Sequence, residues 1–139
     1  MQISESKINE LARELKRISG IKAAYLFGSQ GKQTAGNLSD VDVAILLDQK
    51  ISSRARQAIN DIAFGTISRI LDRNDIDLIE LNQAPVILRY AAIVLGRLLF
   101  VKPGRDTSRL AFRSMQEFED FRPYLERRRT LLKKQLATL

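Results

Sequence analysis

Residues 28–42 read GSQGKQTAGNLSDVD: Gly28-Ser29, ten intervening residues, then Asp40-x-Asp42. The stretch before them, Ile21–Phe27 (IKAAYLF), is apolar and β-prone, and so is Val41–Leu47 (VDVAILL) after them. The pattern predicts one strand leading to a small turn and a second strand entered through two carboxylates. Side chains two apart on a strand share a face. Asp40 and Asp42 can therefore converge on one site, while Val41 and Val43 turn the other way into packing. Paired carboxylates opposite a small turn suit Mg²⁺ held together with a nucleoside triphosphate, because Mg²⁺ binds through one or two carboxylates plus substrate phosphates. Two like charges side by side also repel unless a cation lies between them. Gly28 lets a phosphate approach the backbone, and Ser29 adds a hydroxyl donor beside backbone N–H groups.

Composition narrows the chemistry further. There are no cysteines and no histidines, which excludes disulfides, thiolate metal sites, Cys nucleophiles and any Ser-His triad. Carboxylates, hydroxyls, Lys and Arg remain. Lys32 follows Gly31 in a loop after a strand, but a phosphate-binding P-loop needs Gly at 26 and Ser or Thr at 33. The chain has Leu26 and Gln33.

Gly-Ser, ten residues and Asp-x-Asp between two strands resemble the signature of the nucleotidyltransferase superfamily related to DNA polymerase β. The short chain resembles its minimal nucleotidyltransferase (MNT) branch, over roughly residues 5–102 and more loosely beyond. The resemblance implies an α/β (α+β) fold with a small mixed β-sheet, helices packed on one side and a helical C-terminal segment. It implies two Mg²⁺ ions, ATP as substrate, Gly28 and Ser29 as nucleotide-binding residues, and Asp40, Asp42 and a third acid as catalytic metal ligands. The third acid comes from a later strand and matches Asp77 in DIDLIEL. Asp75 has the same parity and is its rival; Glu80 has the opposite one.

MNT proteins of this kind are commonly antitoxins paired with a helical HEPN-domain toxin, and they transfer AMP to a tyrosine hydroxyl of that partner. HEPN toxins carry an Arg-x4–6-His ribonuclease motif. A chain without histidine cannot be that half. Two other functions remain open: neutralisation by binding alone, and nucleotidyl transfer to a small alcohol. Larger relatives grip templates or drugs with additional domains, for which the residues after the core leave little room.

The remaining elements must position the acids. The length of 139 residues fits a single nucleotidyltransferase domain, with its core at about 4–102. An amphipathic helix is predicted over 4–18 from Ile8, Leu11, Leu15 and Ile18, with Ser4 as N-cap and Gly20 as stop. A second helix spans 52–71, burying Ile59, Ile62, Ala63, Ile67, Ile70 and Leu71. Ile76–Leu81 is the third strand. Pro85 opens a helix to about Leu95, Leu98–Val101 is a short edge strand, and helices over 106–138 break or kink at Pro123. The start of the 30–39 loop can wind into a short helix. Arg89, Tyr90 and Arg97 are noted for a substrate or partner face, with no pattern behind them.

Formal charge is +7, and Arg122, Arg127, Arg128, Arg129, Lys133 and Lys134 crowd the last eighteen residues. This basic segment reads as a solvated face, a docking surface for an acidic protein, or a nucleic-acid surface that would bind with steep salt dependence. Nucleic acid is the least favoured of the three. No long apolar h-region opens the chain, and its longest apolar run, near 90–101, is interrupted by Arg97. The expectation is a cytoplasmic protein without a membrane partner.

Overall fold

A computed structural model describes residues 3–28 and 41–138. Four strands form one mixed sheet in the order β3-β2-β1-β4. Strands β1 (Ile21–Phe27) and β2 (Val41–Leu47) lie antiparallel at its centre. Strand β3 (Ile76–Glu80) runs parallel to β2, and β4 (Arg97–Val101) pairs antiparallel with β1 as the opposite edge.

Both central strands are apolar almost throughout because both of their faces are covered. On one face, Val41, Val43, Ile45 and Leu47 pack with Ile8, Leu11 and Leu15 of α1 (Glu5–Lys16) and with Ile59, Ala63, Ile67 and Ile70 of α2 (Ser53–Leu71). These two helices carry the larger core, on one side of the sheet. A fully buried Leu or Ile there contributes about 1.5–3 kcal/mol. Ser4 and Ser52 cap the two helices, each accepting a backbone N–H at 3.2 Å. A cap of this kind is worth ~1 kcal/mol. Gly20 turns the chain into β1 at φ +94°.

The other face presents small side chains, Ala23 and Ala44, beside Tyr25, Phe27 and Leu46. It is covered by Leu81 and by α3 (Val86–Arg89), which continues as one π turn over Tyr90–Val94. Gly96 lets this turn sit on β1. A Cβ at Gly96 would lie 2.4 Å from the Ala92 carbonyl oxygen and 3.0 Å from that of Leu26. Helix α4 (Ser108–Ala137) then crosses α3, with Phe118 stacked on Tyr90 at 3.9 Å and Arg89 paired with Glu117.

Three expectations need correction. Ile62 is 55% exposed, because it lies on the solvent side of α2, off the stripe set by Ile59, Ala63, Ile67 and Ile70. The last strand begins one residue earlier, at Arg97. The segment after 106 is one helix, not two, with Pro123 inside it. Pro123 lies on an exposed stretch, where water can take the carbonyl that loses its intrahelical donor. Among the described residues, no helix is long and apolar enough to cross a membrane.

Candidate active site

The β1–β2 and β2–β3 registers bring three of the singled-out positions together. Phe27, the residue before Gly28, pairs with Asp42 across the antiparallel ladder. Asp42 in turn pairs with Asp77 across the parallel one. Residues directly opposite on neighbouring strands share a face and stand about 4.8 Å apart. The Asp42 and Asp77 carboxylates therefore leave the same side of the sheet. Asp42 shares the parity of Ala44 and Leu46, while Val41 and Val43 point to the opposite core, as the alternation requires. Asp42 is half-buried and Asp77 is exposed, so the pair spans the rim between the sheet and solvent.

Gly28 has a more specific role than a phosphate's approach. It adopts φ +68°, a conformation that favours glycine, and a Cβ there would lie 2.3 Å from Asp42 Oδ2. The Gly28 backbone is closed onto the carboxylate itself. Any larger residue would displace the acid or open the turn.

Asp75, the rival of Asp77, and Glu80, of opposite parity, each have partners of their own. The Asp75 backbone oxygen accepts from Val41 N at 3.0 Å, tying the start of β3 to β2. Its side chain is gripped by the Arg73 guanidinium, which holds the carboxyl below the usual aspartate range. Glu80 points to the α2 side and accepts from Arg56 Nε at 2.9 Å. The three residues noted for a substrate or partner face are structural ties: Arg89 to Glu117, Tyr90 on Phe118, and Arg97 to Glu5.

Ser29, Lys32 and Asp40, together with the loop helix expected near 30, lie outside the described residues. Among the described residues no cluster of three acids could hold a metal ion. Two acids side by side, facing a turn that excludes a Cβ, form a hard-oxygen donor set that fits Mg²⁺.

Two positioning residues went unread in the sequence. Asn82 clamps the far end of β2: its Oδ1 accepts Leu47 N at 2.9 Å and its Nδ2 donates to Leu47 O at 3.0 Å. The side chain acts as one more rung of the sheet. Gly96 is the other. An Asn just after a strand and a Gly just after a helix are the available signals, and both also occur in ordinary turns.

The polymerase beta nucleotidyltransferase family model matches residues 7–104, most of the chain and all of the sheet. The chain belongs to the polymerase beta nucleotidyltransferase family. As a nucleotidyltransferase it is 30% identical over 99 residues to the protein adenylyltransferase MntA of Shewanella oneidensis. That match takes in 71% of this chain, and the chain spans 66% of that relative's length. Its fold is like that of a chain in the crystal structure of a toxin–antitoxin with AMP-PNP: TM-score 0.61, 24% identity, 97% of this chain and 99% of that one. It is also like a chain in the structure of the tri-AMPylated S. oneidensis HEPN toxin with its MNT antitoxin: TM-score 0.54, 23% identity, 96% and 95% coverage.

Proposed function

We propose that this nucleotidyltransferase is an antitoxin that transfers AMP from ATP to a tyrosine hydroxyl of a cognate HEPN ribonuclease toxin and so neutralises it. The observation that carries the reading is the register that sets Asp77 beside Asp42 on the face onto which Gly28 closes. The likeness to a protein adenylyltransferase supports it, as does the likeness to complexes of an MNT antitoxin with an AMPylated toxin.

In this reading Asp40, Asp42 and Asp77 would hold two Mg²⁺ ions. Bound there, the ions supply charge neutralisation on the triphosphate and on the attacking oxygen. Gly28 and Ser29 seat the phosphates at the end of β1. Asp42, fixed from below by the sheet and from the side by the Gly28 backbone, would be a metal ligand of set orientation. Asp77 stands on the open rim, where a protein acceptor can reach it, and takes the phenol proton as the tyrosine oxygen attacks. The new bond joins that oxygen to the α-phosphorus. The bond from the α-phosphorus to the bridging oxygen breaks, and pyrophosphate leaves. Positioning and electrostatics supply most of the catalysis in such transfers, and no histidine is required.

The test is intact-mass spectrometry of the HEPN partner after incubation with this protein, ATP and Mg²⁺, with Asp42→Ala in parallel. A gain of one or more AMP units with wild type and none with the variant is expected. A stable complex with no mass gain would leave neutralisation by binding alone. Labelling of an added small alcohol without the partner would move the acceptor to small molecules.

A further inference from the structure

Helix α4 does two different jobs along one stripe. Its inner part places Leu110, Ser114 and Phe118 against α3, where Ser114 is fully buried and Phe118 stacks on Tyr90. At 3.6 residues per turn, that stripe continues through Phe121, Leu125, Leu132 and Leu136, with Arg128 and Arg129 at the turn between Leu125 and Leu132. Leu125 is half-buried, and beyond it residues 126–138 are exposed. Leu132 is 53% exposed and Leu136 is 66% exposed, with Tyr124 and Leu131 beside them also exposed. Residues 122–137 extend about 24 Å at the usual helical rise. Helices in proteins draw most of their stability from packing of an apolar face, and along this stretch that face is open.

Charge indicates what covers it. Between residues 122 and 138 there are six cations and one carboxylate. A second copy of this helix would bring one strongly basic rod against another. Nucleic acid would answer the charge but would leave the leucines in water. An acidic helical surface answers both features: leucines at this spacing pack into the groove of a facing helix, and the flanking Arg and Lys find carboxylates.

We infer that the outer half of α4 is the docking rod for the protein substrate, seating an acidic helical face of the toxin along Leu125, Leu132 and Leu136. This rests on the proposed transfer to a helical toxin. It adds the surface that supplies affinity, separate from the acids that carry out the transfer. A minimal enzyme can then hold a large acceptor without a second domain, and the acceptor tyrosine is delivered to the Asp77 rim by a partner already bound elsewhere.

The experiment uses the full chain and its cognate HEPN partner, with binding measured by titration and light scattering and AMP transfer by intact mass. Variants are Leu132→Glu with Leu136→Glu, the helix-preserving Leu132→Ala with Leu136→Ala, and Arg129→Glu with Lys133→Glu. Circular dichroism checks that each folds. The account expects about ten-fold or greater weakening for each pair, as for central interface residues. The charge-reversed pair should recover at high salt relative to wild type, and the leucine pairs should not. At saturating partner, all should transfer AMP at the wild-type rate. Wild-type affinity in both leucine pairs would overturn the docking surface and leave the transfer reading intact. Binding without AMP transfer by wild type would do the reverse. Absence of any complex would overturn the inference. So would a wild-type dimer that the leucine variants break, or tight binding of duplex nucleic acid by the rod in place of the partner.

Discussion

At the Gly20 end of the β1–β2 ladder, polar groups are tied to one another; at the Gly28 end, acids are brought onto an open rim. The Gly20 carbonyl accepts Asp48 N at 2.9 Å, and Asn82 spans both backbone groups of Leu47. Lys102 Nζ donates to Ile18 O at 2.8 Å, and Arg105 Nε donates to Asp48 Oδ1 at 3.0 Å. The two glycines make the same contrast. Both have positive φ, but a Cβ at Gly20 would press on the tip of the Ile59 side chain, whereas at Gly28 it would press on the Asp42 carboxylate. One end of the ladder spends its polar groups on stability. The other sets two acids side by side on one face of the sheet, at the residue pair Asp42 and Asp77. Activity should therefore be lost at one end without loss of fold, and fold at the other without loss of chemistry.

The largest expected effect is at the acids. Asp42→Asn should lower nucleotidyl transfer per folded molecule by on the order of 10²–10³-fold or more, as removal of a central electrostatic group does. A variant that keeps its activity would break the contrast. Gly28→Ala comes next. Transfer should fall by ~10-fold or more as the turn or Asp42 shifts, at about 1 kcal/mol of stability for the left-handed conformation. Activity of the folded protein, normalised by thermal melt, separates the two losses.

Asn82→Ala tests the other end. It removes two hydrogen bonds from half-buried backbone groups and should cost about 1–3 kcal/mol in denaturant unfolding, with transfer per folded molecule unchanged. The smallest effect belongs to Arg105→Ala. Arg105 holds the Asp48 carboxyl below its ordinary pKa. A carboxyl with a lowered folded pKa adds stability above its unfolded pKa, and that stability is lost as pH falls through the folded value. The variant should therefore be slightly less stable than wild type at neutral pH, and the difference should vanish in acid. Asp48 titration followed by NMR should move up towards the ordinary aspartate value.

Much of this contrast was legible in the residues, for reasons that differ by element. Strands 21–27 and 41–47 stand out because both faces are buried, so nearly continuous apolar runs end abruptly, the first at Gly20 and Gly28, the second at Asp40 and Asp48. Serines at 4 and 52 mark helix starts because an unpaired backbone N–H needs an acceptor there. Alternation alone does not choose between Asp75 and Asp77; the resemblance favours Asp77. Their parity is the same, and in the structure the β2–β3 register and the nearby Arg73 separate them. Ile62 was misplaced because apolar residues at 59, 62, 63 and 67 leave the width of the buried stripe undefined, and the sheet covers only part of it. Pro123 predicts a break from its missing N–H, but one lost bond in a helix of 30 residues does not end it. The tie made by Asn82 reaches across 35 residues of sequence, beyond any local pattern.

The most direct test of the acid rim compares Asp77→Asn with Asp75→Asn under identical conditions. AMP transfer from labelled ATP to the HEPN partner would be measured for both at equal folded concentration. The account predicts that Asp77→Asn loses transfer on the scale of Asp42→Asn, while Asp75→Asn keeps it and loses only its tie to Arg73. Full activity in Asp77→Asn, or loss confined to Asp75→Asn, would contradict it.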